Sequence, residues 1–280
     1  MEWRRGCNDP QAYGYSYDNL NRLSSATYGN KNGSRYTATQ FYDVPQIGYD
    51  FDGNITNLQR FADVGGTATL VDDLNYTYGG LIKNRLTHVQ DATNSGLGFN
   101  DMVTNSTANY VYDTNGNLTE DKHKGLDIDY NYLDLPTKAD FIAINEYVEF
   151  TYTAAGEKLH LAKVDGNNTT AQSNYCNGIE YNENGLEAIY TAEGRVLQIG
   201  TTTPSWEYQY YLTDQVGNVR TIVRPIRIGE QTSPDETYKI VQEIDFYPFG
   251  LEFQKTSGEN DYAFNSIEYD EDLAICSRRI

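Results

Sequence analysis

The sequence contains few cysteines and no long apolar run. Its three cysteines, Cys7, Cys176 and Cys276, lie far apart in a chain of 280 residues. A disulfide framework needs more cysteines and a structural zinc site needs closely spaced pairs, so we expect neither. No stretch approaches the roughly 18 apolar residues that cross a bilayer, and the first residues lack the apolar segment of a signal peptide. The sequence therefore indicates no membrane span and no export signal.

Basic residues are scarce as well. Lys and Arg number 21 against 40 Asp and Glu, which gives a net charge of -19. Such a chain repels the phosphate backbone of nucleic acids unless its basic residues form a stripe. The densest basic clusters are only the pairs Arg4–Arg5 and Arg278–Arg279, one at each end. Nucleic acid is therefore not an expected partner.

Signals for helices and for catalytic motifs are nearly missing. No segment keeps apolar residues at helical spacing for three turns without Gly or Pro. Residues 140–150 come nearest, but their β-branched and aromatic content fits two strands around a short turn equally well. His88, His123 and His160 lie in no motif, so we expect them to be solvated strand or loop residues. No Gly-x-Ser-x-Gly elbow and no Gly-Lys-Ser/Thr phosphate loop occurs. We expect no enzyme, no catalytic residue and no cofactor.

Tyrosine, in contrast, is abundant. Disordered acidic chains lack aromatic residues, so 25 tyrosines indicate a folded chain. They recur in one pattern: an aromatic residue, a spacer, a second aromatic residue, a group of Asp, Asn and Gly, and then an apolar residue. The clearest copy runs from Tyr110 to Leu118 (Tyr-Val-Tyr-Asp-Thr-Asn-Gly-Asn-Leu), and others contain Tyr17, Tyr49, Tyr76, Tyr130, Tyr152, Tyr181 and Tyr210. Internal repetition of this kind is typical of repeat architectures.

Each copy predicts a β-hairpin. The alternation Tyr-Val-Tyr places aromatic side chains on one face of a strand, and Asn-Gly or Asp-Gly pairs supply the positive φ of tight turns. A single hairpin is marginal in water, so we expect successive hairpins to pair edge to edge. The predicted fold is all-β, with consecutive antiparallel hairpins that form a long curved or spiralling sheet. The polar segments 28–39 and 165–173 are predicted to be loops.

The Asp-rich turns at residues 50–54 and 113–117 superficially resemble calcium loops. An EF-hand loop has Gly at its sixth position and Glu at its twelfth. Here Gly is at the fourth position, and the twelfth residues are Phe61 and Lys124. A turn in which Asp or Asn caps its own backbone fits the pattern better, so no metal ion is expected.

Several motifs resemble those of the rearrangement-hotspot (RHS) family, whose members carry tyrosine-aspartate (YD) repeats. Residues 112–118 are close to the repeat itself, and residues 210–220 are similar to the family's Tyr-x-x-Asp-His-Leu-Gly-Asn-x-Arg stretch. Phe246-Tyr247-Pro248-Phe249-Gly250 matches the Tyr-Tyr-Pro-Phe-Gly box, and residues 262–273 look like the opening of the core-associated motif. These motifs follow one another in the family's order from about residue 13 to residue 273, and their sequences resemble the Bacteroidetes-type version of the family.

The resemblance implies a β-sheet ribbon wound into a hollow shell around a C-terminal toxin or effector. Residues 1–245 would form the YD-repeat hairpin array, residues 246–273 the start of the RHS core-associated motif, and residues 274–280 a divergent tail. Because the motif is lost at Ala274, the self-cleavage segment and the toxin are not expected here. We therefore expect a gene fragment that forms part of the wall of such a shell and has no catalytic role. For the parent family the resemblance implies a secreted or cell-surface location.

The residues that we expect to matter are therefore structural. They are the strand aromatics, the turn glycines and the polar and box residues of the last motifs: Tyr17, Tyr49, Tyr112, Tyr152, Tyr210, Gly53, Gly116, Gly156, Gly217, Asn218, Arg220, Pro248 and Gly250. The alternative is a surface carbohydrate-binding or adhesion module whose tyrosines stack on cell-surface glycans. We favour the structural hypothesis, because Tyr recurs at the same position in every copy, whereas a binding site would single out one or two copies.

Overall fold

The computed structural model describes residues 2–3, 10–32, 35–79, 84–93, 95–99, 108–200, 205–227, 229–231, 237–255, 268–270 and 275–277. Every regular element in these ranges is a β-strand. The strands are β1 Glu2–Trp3, β2 Gln11–Tyr17, β3 Leu23–Asn32, β4 Arg35–Ala38, β5 Gln46–Tyr49, β6 Ile55–Val64, β7 Thr67–Tyr78, β8 Leu86–Asp91, β9 Tyr110–Tyr112, β10 Leu118–Asp121, β11 Leu126–Tyr130, β12 Pro136–Phe141, β13 Glu146–Tyr152, β14 Lys158–Asp165, β15 Asn168–Cys176, β16 Ile179–Asn182, β17 Gly185–Thr191, β18 Gly194–Ile199, β19 Ser205–Thr213, β20 Val219–Pro225, β21 Tyr238–Phe246, β22 Glu252–Lys255, β23 Glu268–Asp270 and β24 Ile275–Ser277.

Some predicted features lie outside the described residues. They include Cys7, residues 256–267 and 271–273 of the predicted core-associated motif, and residues 274 and 278–280 of the predicted tail.

The strands form sheets in chain order. Strands β1–β4, β5–β8, β9–β22 and β23–β24 make four sheets, and within each sheet a strand is hydrogen-bonded to its neighbours in the sequence. The paired strands run antiparallel, as for β6 with β7 and β13 with β14. The prediction of an all-β chain built from consecutive antiparallel hairpins is therefore confirmed.

The residues that flank the turns pair across the hairpins. Tyr17 lies opposite Leu23, Tyr49 opposite Ile55, and Tyr112 opposite Leu118. In the first two hairpins the register shifts by one residue just before the aromatic residue. The repeated sequence pattern of an aromatic residue before the turn and an apolar residue after it is thus a repeated cross-strand pair, which is the unit that stabilises a sheet.

One compact unit comprises residues 1–126 and 246–253. Its core is an aromatic and aliphatic cluster formed by Tyr13, Ala26, Tyr28, Tyr42, Val44, Ile47, Leu58, Leu74, Val89 and Tyr247. The buried Tyr13 keeps a polar partner, since its hydroxyl donates a 2.8 Å hydrogen bond to the backbone carbonyl of Tyr42. Burial raises the pKa of Tyr13 far above its ordinary value, so this phenol stays neutral.

The other unit comprises residues 127–245 and 254–280. Its buried apolar side chains are supplied by strands β11 to β21: Ile128, Ala139, Val148, Phe150, Leu161, Ala162, Val164, Ala188, Val219, Ile222 and Ile244. A polar chain of contacts crosses strands β18 to β20, in which Arg195 donates to Gln209, Gln209 donates to Glu207, and Glu207 pairs with Arg224. Buried polar groups of this kind are stable when each has a partner.

Two predicted loops are strands instead. Residues 28–39 contain the end of β3 and all of β4, which pair from Gly29 opposite Ala38 to Asn32 opposite Arg35. The close approach depends on glycine, because a Cβ at Gly29 would lie only 2.2 Å from the carbonyl oxygen of Thr37. Residues 165–173 contain the end of β14, a two-residue turn with Gly166 at a φ of 60°, and the first six residues of β15, which begins at Asn168. Both segments were predicted to be loops because they contain many polar and few apolar residues.

Candidate functional site

Seven turns share one geometry within the part of the chain that the structure describes. In each, the backbone N–H of the first of five residues donates to the carbonyl of the fifth at 2.8–3.0 Å, and the N–H of the fourth donates to the carbonyl of the first at 3.0–3.3 Å. We call this element the repeat turn. Its copies are residues 18–22, 50–54, 113–117, 131–135, 153–157, 214–218 and 247–251.

The fourth residue of every repeat turn has a positive φ. The value is 90° at Gly53, 102° at Gly116, 91° at Gly156, 89° at Gly217 and 91° at Gly250. Glycine adopts this left-handed region without steric cost. The remaining two copies have Asn21 and Asp134 there, at 60° and 57°, and these are the residue types that tolerate this region best after glycine. All the glycines that the sequence singled out occupy this position.

In every repeat turn except the one that begins at Tyr247, the side chain of the first residue also caps the loop by accepting a hydrogen bond from the N–H of the fifth residue. Asp113 Oδ1 accepts hydrogen bonds from the N–H groups of Gly116 and Asn117, each at 2.8 Å, and Asn117 Nδ2 donates to Asp113 Oδ2 at 2.9 Å. Asp50 and Asn54 repeat the last two of these bonds. The hydrogen bond from the Asn117 side chain is the main reason that the pKa of Asp113 lies below its ordinary value. The carboxylates that resemble calcium ligands therefore bind their own loop.

An arginine joins one repeat turn to the next. Arg22 Nη1 donates to the carbonyl of Asp50 at 3.0 Å, and its guanidinium carbon lies 4.5 Å from the centre of the Tyr49 ring. The Tyr49 hydroxyl in turn donates to the carbonyl of Leu23 at 2.8 Å. We call this arrangement the Arg–Tyr bridge. It combines a hydrogen bond to a backbone carbonyl with a cation–π contact.

The Arg–Tyr bridge occurs a second time at the same spacing. Arg85 Nη1 donates to the carbonyl of Asp113 at 3.1 Å, and its guanidinium carbon lies 5.6 Å from the centre of the Tyr112 ring. Both hydrogen bonds join residues 28 positions apart. The sequence analysis missed the two arginines, although a signal exists: each stands in the triplet Asn-Arg-Leu, and Tyr-Asp follows 27 residues after the arginine.

The turn at residues 214–218 holds two more predicted residues. Asn218 Nδ2 and Arg220 Nε both donate to Asp214 Oδ2, at 2.9 Å and 3.1 Å. Arg220 Nη1 also lies 3.6 Å from Asp245 Oδ1. Asp214 therefore organises this turn, although the sequence motif had not marked it as an important residue.

The other predicted residues have different surroundings. Tyr17 and Tyr210 are exposed, at 59% and 45% of their surface, whereas Tyr152 is half-buried and stacks on Phe150 with 6.5 Å between ring centres. Pro248 is half-buried as the second residue of its repeat turn. Tyr210 belongs to an exposed stripe along one face of β19, whose other members are Trp206, Tyr208 and Leu212. Membership of the sequence motif therefore does not determine burial.

His123 is buried, contrary to the expectation that the histidines are solvated. Its side chain is 6% exposed, and its Nε2 lies 2.9 Å from the side-chain nitrogen of the buried Asn109. The rings of Phe99 and Tyr110 flank it, with centres 4.9 Å and 5.6 Å away. No sequence motif predicts this site, because His123 and its partners come from three separate segments of the chain.

The described ranges contain no group of three or more His, Cys, Asp or Glu side chains placed to hold a metal ion. Over the same ranges, no helix is long and apolar enough to cross a membrane.

No protein-family model matches this sequence, and no curated protein matches it. Solved structures of TcdB2-TccC3 are similar in fold. The crystal structure titled TcdB2-TccC3-TEV has a TM-score of 0.41 and 15% identity, and it covers 94% of this chain and 16% of that chain. TcdB2-TccC3-Cdc42 has a TM-score of 0.39 and 14% identity over 95% of this chain and 16% of that one. TcdB2-TccC3 without its hypervariable C-terminal region has a TM-score of 0.40 and 12% identity over 96% and 18%. This chain spans about a sixth of the length of these neighbours.

Proposed function

We propose that this chain forms part of the wall of an RHS-type β-shell and that its role is structural rather than catalytic. The observation that carries the proposal is one turn geometry present seven times among the described residues, together with an Arg–Tyr bridge that occurs twice. In each bridge an arginine donates to the first residue of a repeat turn that begins 28 residues later in the chain. In repeat architectures each unit is stabilised by its neighbours, so a sheet can extend unit by unit. Such extension is what a wall requires.

The sequence motifs support the same role. The box at residues 246–250 supplies one of the seven repeat turns, and Asn218 and Arg220 of the preceding motif hold Asp214 in another. By the resemblance, the wall would enclose a C-terminal toxin or effector, and the parent protein would act outside the cell or at its surface. The division of the chain at residues 245 and 273 stays a prediction.

The wall role is tested by double-mutant cycles in the full chain. Arg22→Ala and Tyr49→Ala are expected to be coupled by about 0.5–3 kcal/mol, because their side chains are in contact. Arg85→Ala and Tyr112→Ala are expected to give a coupling of the same sign. The control pair is Arg22→Ala with Tyr112→Ala, which belong to different bridges and should be additive to within about 0.5 kcal/mol. Urea unfolding gives the free energies.

Two results would contradict the proposal. One is the absence of coupling in both bridges, since neighbouring units would then not stabilise each other. The other is a specific glycan on an array that binds the wild-type chain and fails to bind after Trp206→Ala and Tyr208→Ala, while Tyr49→Phe leaves the binding unchanged. The chain would then be a carbohydrate-binding module with its site on β19.

A further inference from the structure

Residues Phe246–Phe253 belong to the same compact unit as residues 1–126, although more than a hundred residues separate them in the sequence. We call this segment the C-terminal strap. The hydroxyl of Tyr247 donates a 2.6 Å hydrogen bond to the carbonyl of Phe61, across 186 residues. Tyr247 is only 5% exposed. The strap is therefore anchored in the core of the N-terminal strands.

Two aromatic rings of the strap complete the aromatic cluster of that core. Phe253 stacks on Tyr42 with 4.0 Å between ring centres and meets Tyr28 edge-on at 5.8 Å. Tyr247 meets Tyr42 edge-on at 6.1 Å and Phe253 at 4.8 Å. Offset and edge-on pairs of this kind are favourable beyond the area that they bury. Tyr28 and Tyr42 therefore owe part of their burial to the strap.

The strap contains hydrogen bonds of its own, separate from its contacts with the N-terminal strands. It contains the repeat turn of residues 247–251, in which Tyr247 N–H donates to Leu251 and Gly250 N–H donates to Tyr247. Its flanking strands, β21 and β22, pair with each other, whereas the sheets β1–β4 and β5–β8 contain no strap residue. Removal of the strap would thus leave the ladders of those two sheets complete.

The packing beside the strap is incomplete. A cavity of about 360 Å³ lies between the strap and the N-terminal strands, lined by residues that include Arg60, Asp72, Phe99, Tyr247 and Leu251. Tyr42 and Phe253, the stacked pair, also line this cavity. Open space beside its anchoring rings distinguishes the strap from an ordinary core strand, whose surroundings are filled.

We propose that the C-terminal strap is a reversible latch: it docks and detaches as one preformed turn, and its release opens the aromatic cluster around Tyr28 and Tyr42 while the sheets β1–β4 and β5–β8 stay intact. This inference goes beyond the wall role, because it concerns an internal opening of the unit. Its test measures docking alone, so its failure would leave the wall proposal standing.

The test is hydrogen exchange in the full chain with the double variant Tyr247→Ala/Phe253→Ala. The amides of residues 247 and 250, which donate the two hydrogen bonds of the turn, are expected to exchange at least about tenfold faster, because a turn that has lost both anchoring rings is exposed to water. Amides in β2, β3, β6 and β7 are expected to stay within about twofold of the wild-type rates. The dye 1-anilinonaphthalene-8-sulfonate should bind the variant and not the wild type, since the aromatic cluster is open.

The matched control is Phe249→Ala. Phe249 lies in the same turn but is 56% exposed, so its loss should change neither exchange nor dye binding. Tyr247→Phe keeps the ring and removes only the hydrogen bond to Phe61, and it should give a smaller acceleration in a chain that still folds. The latch is refuted if β2, β3, β6 and β7 lose protection together with the strap, because the strap is then an inseparable part of the core. Unchanged exchange of the strap refutes it equally.

A peptide in solution gives an independent measurement. A synthetic peptide of residues 246–253 should bind the double variant, because the open cluster can accept a second copy of the strap. The same peptide with Ala in place of Tyr247 and Phe253 should not bind, and wild-type protein should bind neither peptide. Equal binding of both peptides by the double variant would show that the open surface does not recognise the strap, which contradicts the proposal.

Discussion

Arg22 donates a hydrogen bond of 3.0 Å to the backbone carbonyl of Asp50, the residue that begins the next repeat turn. The same arginine is held by its own turn, since its Nε donates to Asp18 Oδ2 at 2.7 Å. One guanidinium therefore binds two consecutive turns at once. A flexible ammonium could not reproduce this, because it lacks the planar fork of donors and stacks less well on an aromatic ring.

We therefore expect Arg22→Lys to be almost as harmful as Arg22→Ala. Each should lower the free energy of unfolding by about 1–2 kcal/mol, because the hydrogen bond to Asp50 and the contact with the Tyr49 ring are both lost. Urea unfolding at neutral pH measures the difference. Arg35→Ala is the control, since Arg35 is an exposed arginine of β4, and its change should stay within about 0.5 kcal/mol. If Arg22→Lys has the same free energy of unfolding as the wild type, a positive charge at this position is enough and the guanidinium geometry is not required.

Gly116 should tolerate asparagine better than valine. Its φ of 102° strains any residue with a Cβ, and a β-branched side chain most of all. Gly116→Val is expected to lower the free energy of unfolding by more than about 1 kcal/mol, and Gly116→Asn by less. Thermal unfolding measures both.

The control for this substitution is Gly96→Ala. A Cβ at Gly96 would meet no atom within 4 Å, and its φ lies outside the left-handed region. Its melting temperature should therefore hardly change. If Gly116→Val melts at the wild-type temperature, the turn does not require the conformation described above.

Removal of single hydroxyl groups should separate the motif tyrosines into two groups. Tyr49→Phe loses the hydrogen bond to the carbonyl of Leu23 and is expected to cost about 1 kcal/mol. Tyr17→Phe is its control, because Tyr17 is 59% exposed and its hydroxyl can bond to water in either state. Chemical denaturation of both variants gives the comparison. An equal cost for the two would mean that exposure does not decide the role of these tyrosines.

The contribution of Glu230 to the free energy of unfolding should depend on pH in the acid range. The side-chain hydrogen bond from Arg224 is the main cause that lowers the pKa of Glu230 to about 2. The carboxylate of Glu230 is therefore protonated at a higher pH in the unfolded state than in the folded state. The contribution of Glu230 is therefore fully present above its ordinary pKa of 4.5, and it is lost as pH falls from there towards 2.

Glu230→Gln tests this dependence. The variant should be less stable than the wild type at pH 7, and the difference should shrink steadily below about pH 4.5. Urea titrations at several pH values measure it. A difference that is constant from pH 7 to pH 3 would show that the ion pair with Arg224 does not form in solution.

Local patterns predicted the hairpins because the information for a turn lies within five residues. Gly53, Gly116, Gly156 and Gly217 are all found where a turn requires a positive φ. The strand order within each sheet followed from the same patterns, since within a sheet each strand pairs with its neighbours in the sequence. Polar strands were the exception: β15 begins at Asn168 and is held by backbone bonds and by its tight turn, so polarity gave the wrong prediction there.

Distant partners could not be predicted in the same way. His123 is buried by Asn109, Phe99 and Tyr110, and none of these forms a motif with it. The docking of Tyr247 on Phe61 spans 186 residues and leaves no periodic signal. The tyrosine motif also said nothing about exposure, since Tyr17 and Tyr49 occupy equivalent positions before their turns and differ in their surroundings.

The first position of the repeat turn is Asp in four copies, Asn in one, Thr in one and Tyr in one, while the backbone bonds of the loop are the same throughout. Main-chain geometry is thus compatible with four different residue types at this position, including a tyrosine whose side chain does not cap the loop. Related chains could then diverge at this position without any change of architecture. Detection of such relatives should depend on comparing loop conformations rather than residue identities.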